Sequence, residues 1–225
     1  MSRIYLVRHG QAAFGTDDYD RLTETGIAQC RQLARHWRAI GRPVDLVFSG
    51  TLRRQRESAE TFAQAAAEQG GAALTVQSLA GIEEYDYLAL LAAHGGVVPG
   101  SDIALDRRAF HRRLSAALQA WASGELGPVE PFGLFRDRCA AALTTLLRET
   151  GRGRTAVLFG SAGSLAAAMQ PALGLGDRDL LRLKLTFFNT GVSSLLFDGE
   201  TITIESLNAV SHLEQPAFMK LITHR

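Results

Sequence analysis

Residues 3–11 read Arg-Ile-Tyr-Leu-Val-Arg-His-Gly-Gln, and this stretch decides the fold. Residues 4–7 form an apolar run without a turn residue, which is typical of a strand buried on both faces of a parallel sheet. Gly10 allows the chain to turn sharply and lets its backbone approach a ligand closely. Ligands of open α/β sheets bind at the carboxyl ends of strands, so the pattern predicts a binding site at Arg8 and His9.

The chemistry of Arg8 and His9 suits an anion. An arginine offers a planar fork of donors for phosphate or carboxylate, and a neutral histidine offers a lone pair on one ring nitrogen. Taken alone, these residues favour a simpler interpretation, the solvated start of a loop, because short motifs give many false positives. The choice therefore depends on the rest of the chain.

Composition limits the classes of function. The 225 residues are 46% hydrophobic and 21% charged, which predicts one globular domain. A formal net charge of +1 gives no global field for nucleic acid or a membrane surface, so anion binding has to be local. Cys30 and Cys139 lack the spacing of a zinc site, and no metal site is predicted. Residues 1–8 do not resemble a secretory signal, which predicts a cytoplasmic protein.

A second group of arginines follows the next predicted strand, residues 44–48. A helix is predicted from about residue 52 to residue 68, and Arg54 falls in its first turn. The helix dipole and the unpaired N–H groups of that turn favour an anion. Arg53 and Arg56 are interpreted as solvated neighbours of Arg54.

Two blocks of the sequence together resemble the histidine phosphatase superfamily, the group that contains the phosphoglycerate mutases. Leu-Val-Arg-His-Gly-Gln at residues 6–11 resembles the family signature. Residues 49–60 read Ser-Gly-Thr-Leu-Arg-Arg-Gln-Arg-Glu-Ser-Ala-Glu and are similar to the family pattern Ser-Ser-Pro-Leu-x-Arg-Ala-x-Gln-Thr-Ala. The resemblance implies that Arg54 is the second phosphate-binding arginine, beside Arg8.

The resemblance also implies the architecture. It predicts a three-layer α/β sandwich, phosphoglycerate mutase-like, with a mainly parallel central sheet and helices on both faces. Residues 1–225 are expected to form a single domain. A helical insertion at about residues 86–131 is expected to lie over the pocket.

A candidate general acid lies in Ile82-Glu83-Glu84. In an extended segment neighbouring side chains point to opposite sides, so only one of the two carboxylates can face a pocket. The resemblance, through a family Leu-x-Glu pattern, implies that Glu84 is the proton donor. A shift of one residue would select Glu83, so this alternative stays open.

The chain departs from the family at Gly160-Ser161-Ala162. The family has Ser-His-Gly here, with a second catalytic histidine, and this alignment puts Ser161 in place of that histidine. The Ser161 hydroxyl and the backbone N–H groups of the turn around Ala162 are expected to bind phosphate. Loss of a charge-assisted donor is expected to weaken stabilisation of the transferring phosphoryl group.

The function implied by the resemblance is phosphomonoester hydrolysis through a phosphohistidine on His9. Arg8 and Arg54 would hold the phosphoryl oxygens and Glu84 would protonate the leaving alcohol, with no metal or organic cofactor. A small phosphorylated metabolite or a phosphoprotein is the expected substrate. Neither nucleic acid nor a membrane is an expected partner, and a homodimer stays open.

Two alternative functions remain. The missing histidine motivates the first, a catalytically weak or silent member that binds a phosphorylated ligand or partner. The second, a serine esterase, is remote: Ser161, a later aspartate and His212 follow the order of an α/β-hydrolase triad. A nucleophile elbow, however, needs glycine two positions before the serine, and Phe159 occupies that position.

Overall fold

The structure is a computed structural model that describes residues 1–16, 18–95 and 107–224. Asp17, which the sequence groups with two other acidic residues, lies outside the described residues. So does part of the predicted insertion, residues 96–106.

The described residues form a six-stranded mixed sheet with the order β3-β2-β4-β1-β5-β6. Neighbours among the first four strands run parallel, and the last two strands add an antiparallel hairpin beside β1. The strands are β1 (Ser2–Arg8), β2 (Leu46–Ser49), β3 (Val76–Ser78), β4 (Thr155–Gly160), β5 (Val192–Phe197) and β6 (Ile202–Ala209). The prediction of a mainly parallel α/β sheet is confirmed.

Helices alternate with the parallel strands along the chain. They are α1 (Glu24–Ala39), α2 (Arg53–Glu68), α3 (Tyr87–Ala93), α4 (Arg107–Ala122), α5 (Phe132–Thr150), α6 (Ala162–Leu173) and α7 (Asp177–Leu183). Two short 3₁₀ turns follow, at Lys184–Thr186 and Met219–Leu221.

The sheet is covered on both faces because alternate residues of its central strands are apolar on both sides. Tyr5 and Val7 of β1 belong to a buried cluster with residues of α1 and α2. Ile4 and Leu6 belong to a second cluster with residues of α5 and α6. This is the predicted three-layer sandwich, and its core explains why residues 4–7 are all aliphatic or aromatic.

The pairing of β1 with β4 brings two loops together at one edge of the sheet. The strands are parallel neighbours, and Arg8 lies opposite Gly160. Both strands end at this level, so His9 and Ser161 directly follow neighbouring strand ends. A third, smaller apolar cluster, which includes Leu91 and Phe110, joins α3 to α4.

Candidate active site

A cavity of about 920 Å³ lies where β1 and β4 end. Its wall includes five residues singled out from the sequence: Arg8, His9, Arg54, Glu84 and Ala162. The sheet edge and the first turns of two helices therefore bring together residues that are up to 154 positions apart.

His9 is held rigidly beneath the cavity. Only 5% of the residue is exposed. Its backbone N–H donates to the Gly160 carbonyl at 2.8 Å, and its carbonyl accepts from the Asn189 amide at 3.1 Å. Because the backbone is tied to both neighbouring loops, the imidazole has a fixed origin at the end of β1.

The hydrogen bonds of the His9 ring assign its tautomer. Nε2 lies 3.2 Å from Nε of Arg54, and a guanidinium can only donate, so Nε2 carries the lone pair. Nδ1 lies 2.7 Å from the Gly10 carbonyl, which can only accept, so Nδ1 carries the proton. The lone pair therefore points toward the guanidinium of Arg54, where an anion would be attracted.

The pKa of His9 is lowered well below its ordinary value. Burial is the largest cause, and the positive charges of Arg54 and then Arg8 add to it, against a smaller opposing effect of the Gly10 carbonyl. The lowered pKa favours the neutral imidazole, in which Nε2 keeps its lone pair.

Gly10 is required by the close approach of two chain segments. A Cβ atom on Gly10 would lie 2.6 Å from the carbonyl oxygen of Gly26 in α1. The Gly10 N–H donates to Ser58 Oγ of α2 at 3.0 Å. The turn after His9 is therefore packed between α1 and α2, which only glycine permits.

Arg54 is buried in the first turn of α2, with 6% of the residue exposed. Its Nη1 donates to Asp20 Oδ1 at 2.5 Å, and the guanidinium carbon lies 5.2 Å from the centre of the Tyr19 ring. Arg53 is solvated, as predicted, and pairs with Asp18 and Glu57. From the sequence alone, the acidic residues Asp17, Asp18 and Asp20 are interpreted as a solvated rim of the pocket, but Asp20 fixes the orientation of Arg54.

Arg8 is oriented by the end of the chain. Its Nη1 donates to the carbonyl oxygens of Phe187 at 2.6 Å and His224 at 2.7 Å. The His224 ring lies over the Phe188 ring, with 4.1 Å between their centres. Two segments far from β1 in sequence therefore position this guanidinium.

Glu83 and Glu84 face different surroundings. Glu84 lines the cavity, and its Oε2 accepts from the N–H of Gly163, in the first turn of α6, at 2.8 Å. Glu83 accepts from Thr51 Oγ1 at 2.8 Å and from the Gly81 N–H at 2.9 Å, and lies 3.6 Å from Nη1 of Arg138. Of the two carboxylates, Glu84 is the one at the cavity.

Ser161 and Ala162, which were both expected to bind phosphate, also face different surroundings. Ala162, the first residue of α6, lines the cavity, and Ser161 is not part of its described wall. Ser161 is 1% exposed, and its Oγ accepts from Gln55 Nε2 at 3.0 Å. The Ser161 hydroxyl is therefore bonded to a side chain of α2, and its contact with phosphate stays a prediction.

The esterase alternative requires a serine next to a histidine. In the described part of the chain Ser161 is bonded to Gln55, whereas Nε2 of His212 lies 2.9 Å from Thr190 Oγ1. Burial lowers the pKa of His212 to about 3, and nearby His36 adds to the effect. His212 is a neutral structural residue bonded to Thr190.

Sequence reasoning missed two polar groups of the cavity, Tyr85 and Lys184. Nζ of Lys184 donates to Tyr85 Oη at 2.5 Å, and it lies 5.0 Å from the centre of the Tyr85 ring. Tyr85 follows the candidate acid directly, which was an available signal. Lys184 belongs to no motif, and its position follows only from the packing of the turn after α7.

The cavity also has an aromatic wall, formed by Phe14, Tyr19, Tyr87 and Phe110. The Phe14 ring is 5.5 Å from the rings of both Tyr19 and Phe110, centre to centre. These side chains come from the loop after β1 and from the helices α3 and α4. The loop after β1 and the segment between β3 and α5 therefore each contribute two side chains to the wall.

The described residues also bear on metal binding and on membrane insertion. They contain no group of three or more His, Cys, Asp or Glu side chains arranged to hold a metal ion. Among the helices described, none combines the length and apolar character needed to cross a membrane.

Comparisons with known proteins bear on the family and the fold. The sequence model described as the histidine phosphatase superfamily, branch 1, matches residues 4–210. No curated protein matches the sequence. A mutant phosphoserine phosphatase from Entamoeba histolytica, solved with phosphoserine, has a TM-score of 0.65 at 19% identity, and the match covers 95% of this chain and 100% of that one.

Two other solved structures share the fold. The alpha-ribazole phosphatase of Shigella flexneri has a TM-score of 0.65 at 19% identity, with 92% of this chain and 96% of that chain covered. A mycobacterial glucosyl-3-phosphoglycerate phosphatase has a TM-score of 0.64 at 20% identity, with 92% and 98% covered. At this identity the three structures establish a common architecture.

Proposed function

The chain belongs to the histidine phosphatase superfamily, and from this premise we propose that it hydrolyses phosphomonoesters through a phosphohistidine on His9. One observation carries the proposal: Nε2 of His9 holds its lone pair toward Arg54, inside a cavity that Arg8 also lines. A neutral imidazole beside two guanidinium groups combines a nucleophile with the charges that attract its substrate.

The reaction follows from these positions. Nε2 of His9 attacks phosphorus, the P–O bond to the alcohol breaks, and Glu84 gives its proton to the departing oxygen. Arg8 and Arg54 hold the oxygens of the transferring group, where negative charge accumulates. The Nε–H of Arg54, which now donates to His9, turns to the incoming phosphate. Water then attacks the phosphohistidine, with Glu84 accepting its proton, and releases phosphate.

We assign the position of the missing second histidine to Ala162. The triplet Ser161-Ala162-Gly163 agrees with the family's Ser-His-Gly at its first and third residues, whereas Gly160-Ser161-Ala162 agrees at none. Ala162 lines the cavity and Ser161 does not. This register replaces the alignment that puts Ser161 in the histidine's place, and the backbone around Ala162 keeps its proposed role in binding phosphate.

The substrate we propose is a small phosphorylated metabolite with an apolar or aromatic part in its leaving group. The cavity of about 920 Å³ has room beyond one phosphate, and its aromatic wall suits a flat or apolar group. The similar structures are named as phosphatases of phosphoserine, alpha-ribazole and glucosyl-3-phosphoglycerate. In this proposal α3 and α4 act as a cap within a single domain.

A second candidate is a silent member that binds a phosphorylated ligand without turning it over. The methyl group of Ala162 favours it, because one cation of the family's site is missing. The set His9, Arg8, Arg54 and Glu84 speaks against it, because the chain retains a nucleophile, two anion-binding groups and an acid in one cavity.

A substrate screen in the presence of a metal chelator tests the proposal. We expect wild type to hydrolyse 2-naphthyl phosphate more efficiently than glycerol 2-phosphate, and to form an acid-labile phosphoenzyme on rapid quenching. His9→Ala should lower kcat/KM by at least about 10³-fold, because it removes the nucleophile. The fold should survive, since the imidazole lies at a strand end.

Two results would overturn the proposal. Near wild-type turnover by His9→Ala would exclude the phosphohistidine route. If wild type binds orthovanadate but hydrolyses none of the esters, the silent binder is the correct assignment.

A further inference from the structure

On the Ala162 side of the cavity, the strand end and the first turn of α6, residues 160–164, contain no cationic side chain. In phosphoryl transfer the negative charge spreads over three equatorial oxygens of the transferring group. Arg8 comes from the end of β1 and Arg54 from the start of α2, so both guanidinium groups belong to the His9 side. Where the family has an imidazole, the chain has the methyl group of Ala162.

Lys184 reaches this cavity from another element. It begins the 3₁₀ turn after α7, only 9% of the residue is exposed, and it lines the cavity. Its Nζ donates to Tyr85 Oη at 2.5 Å. A long cationic side chain is seldom buried unless its charge is partnered. The burial of Lys184 at the cavity wall is therefore unusual.

Tyr85 connects Lys184 to the residues beside Ala162. A Cβ atom on Gly163, the next residue, would lie 2.8 Å from Cε1 of Tyr85 and would also collide with Oε1 of Glu84. The tyrosine ring and the candidate acid therefore both lie against the start of α6.

The hydrogen bond between Lys184 and Tyr85 can run in one direction only. An ammonium group has no acceptor, so Tyr85 Oη accepts from Lys184 and its own O–H must be donated elsewhere. Burial, and then the charge of Glu84, raise the pKa of Tyr85 well above its ordinary value, although the charges of Arg8 and Arg54 oppose this. Tyr85 therefore keeps its proton and remains a donor, polarised by the ammonium group behind it.

We propose that Tyr85 and Lys184 together replace the missing second histidine. The Tyr85 hydroxyl donates to an oxygen of the transferring phosphoryl group, and Lys184 supplies the positive charge through that hydroxyl. Tyr85 is the catalytic residue of the pair and Lys184 the positioning residue. The inference rests on the proposed phosphatase function.

Ligand binding by substituted proteins tests the pair, and one further substitution serves as the control. Lys184→Met removes the charge and keeps most of the bulk, and Tyr85→Phe removes only the hydroxyl. Lys220→Met is the matched control, because Lys220 is the chain's other lysine and is exposed. Affinities for orthovanadate, which imitates the transition state, and for inorganic phosphate are measured by calorimetry, beside kcat/KM.

We expect Lys184→Met and Tyr85→Phe each to weaken vanadate binding by about 10- to 100-fold, as for a charge-assisted hydrogen bond. Phosphate binding should fall less, and Lys220→Met should change neither affinity. Because the two groups act as a unit, the double variant should bind vanadate about as weakly as either single variant. Ala162→His in the Lys184→Met background should recover part of the loss, since it returns a donor to the vacant side.

Several outcomes would overturn the inference. Vanadate affinity of folded Lys184→Met within twofold of wild type would do so, as would losses that multiply in the double variant. If Lys184→Met does not fold, the lysine side-chain NMR signals of ¹⁵N-labelled wild type decide, with Lys220→Met assigning the two signals. Vanadate should shift the Lys184 signal, and an unchanged signal would contradict the pair.

The binding measurements separate this inference from the proposed function. If wild type hydrolyses no ester but the pair still controls vanadate binding, the proposed function fails and the pair stands. If wild type is an active phosphatase and Lys184→Met leaves vanadate binding and kcat/KM unchanged, the pair fails and the phosphatase stands.

Discussion

The two sides of the proposed phosphate site begin on neighbouring parallel strands in register, yet they are built in different ways. On the His9 side the nucleophile, the turn glycine and Arg8 are consecutive in sequence, and Arg54 lies in the next βα unit. On the Ala162 side the strand end contributes only small side chains. The polar groups there come from the segment after β3 and from the turn after α7.

This difference has a physical origin. A strand that ends at Arg8 fixes where the next two residues begin, so a contiguous motif supplies Arg8, the nucleophile and the turn glycine of the His9 side. The Ala162 side is a surface on which separate elements converge, so a charge lost from one element can be supplied by another. A missing motif residue therefore does not by itself predict an inactive site.

Among the tests of this comparison, we expect the largest effect at Glu84, the carboxylate bonded to the start of α6. Glu84→Gln should lower kcat/KM for an alkyl phosphate by about 10²- to 10⁴-fold, because the leaving alkoxide loses its proton donor. The loss should be much smaller with 4-nitrophenyl phosphate, whose leaving group needs no proton. Steady-state kinetics with both esters measure the ratio.

Glu83→Gln is the matched control for Glu84→Gln. Glu83 is bonded to Thr51 and Gly81, and the change should leave kcat/KM within a few-fold of wild type. A larger loss from Glu83→Gln than from Glu84→Gln would assign the acid to the other carboxylate and remove Glu84 from the Ala162 side.

The next effect concerns the anion-binding charge of the His9 side. Arg54→Ala should weaken vanadate binding by about 10- to 100-fold, because it removes a buried charge-assisted donor. Arg53→Ala should change it less than twofold, because its exposed ion pairs with Asp18 and Glu57 contribute little. Calorimetric titration with vanadate compares the variants, and equal losses would shift the second block by one residue.

The Arg54→Ala variant allows a second measurement on His9. The charge of Arg54 is one of the causes that lower the pKa of His9, so its removal should raise that pKa toward the ordinary value. NMR titration of the imidazole reports the shift. A pKa that falls on removing Arg54 would contradict the assigned tautomer and its partner.

The smallest effect we expect is at Ser161, which lies behind the cavity wall. Ser161→Ala should lower the free energy of unfolding by about 0.5–1.5 kcal/mol, because Gln55 loses an acceptor, and should change phosphatase turnover only a few-fold. Denaturant unfolding and hydrolysis of 4-nitrophenyl phosphate measure both. Loss of hydrolysis of 4-nitrophenyl acetate, with His9→Ala unaffected, would instead favour the esterase.

Much of the fold could be predicted from local patterns. The apolar run at residues 4–7, the glycine after His9 and the helix that carries Arg54 each depend on neighbouring residues, and all three occur in the structure. Asp198-Gly199 between two strand-like runs, at residues 192–197 and 201–206, predicts the β5–β6 hairpin in the same way. Strand, turn and helix preferences act over a few residues, so the sequence contains them directly.

The candidate site could be predicted from the sequence only in part. Asp20 was grouped with solvated acids, although it orients Arg54, and the alternatives Glu83 and Glu84 stayed open because one residue of register exchanges their faces. The alignment at Ser161 was ambiguous for the same reason. The burial of its hydroxyl against Gln55 depends on the packing of α2 under α6.

By itself, then, the sequence determined that one arginine and a histidine end a strand of an α/β sandwich and that a second arginine begins a helix, because strand and helix patterns are local. The contacts that orient both arginines come from the tertiary structure. Only the tertiary structure decided which carboxylate reaches the cavity, that Ala162 lies on its wall, and that Lys184 meets Tyr85 there. Those placements require contacts between segments about 80 to 100 residues apart. Packing of the whole chain sets such contacts, and no local pattern encodes them.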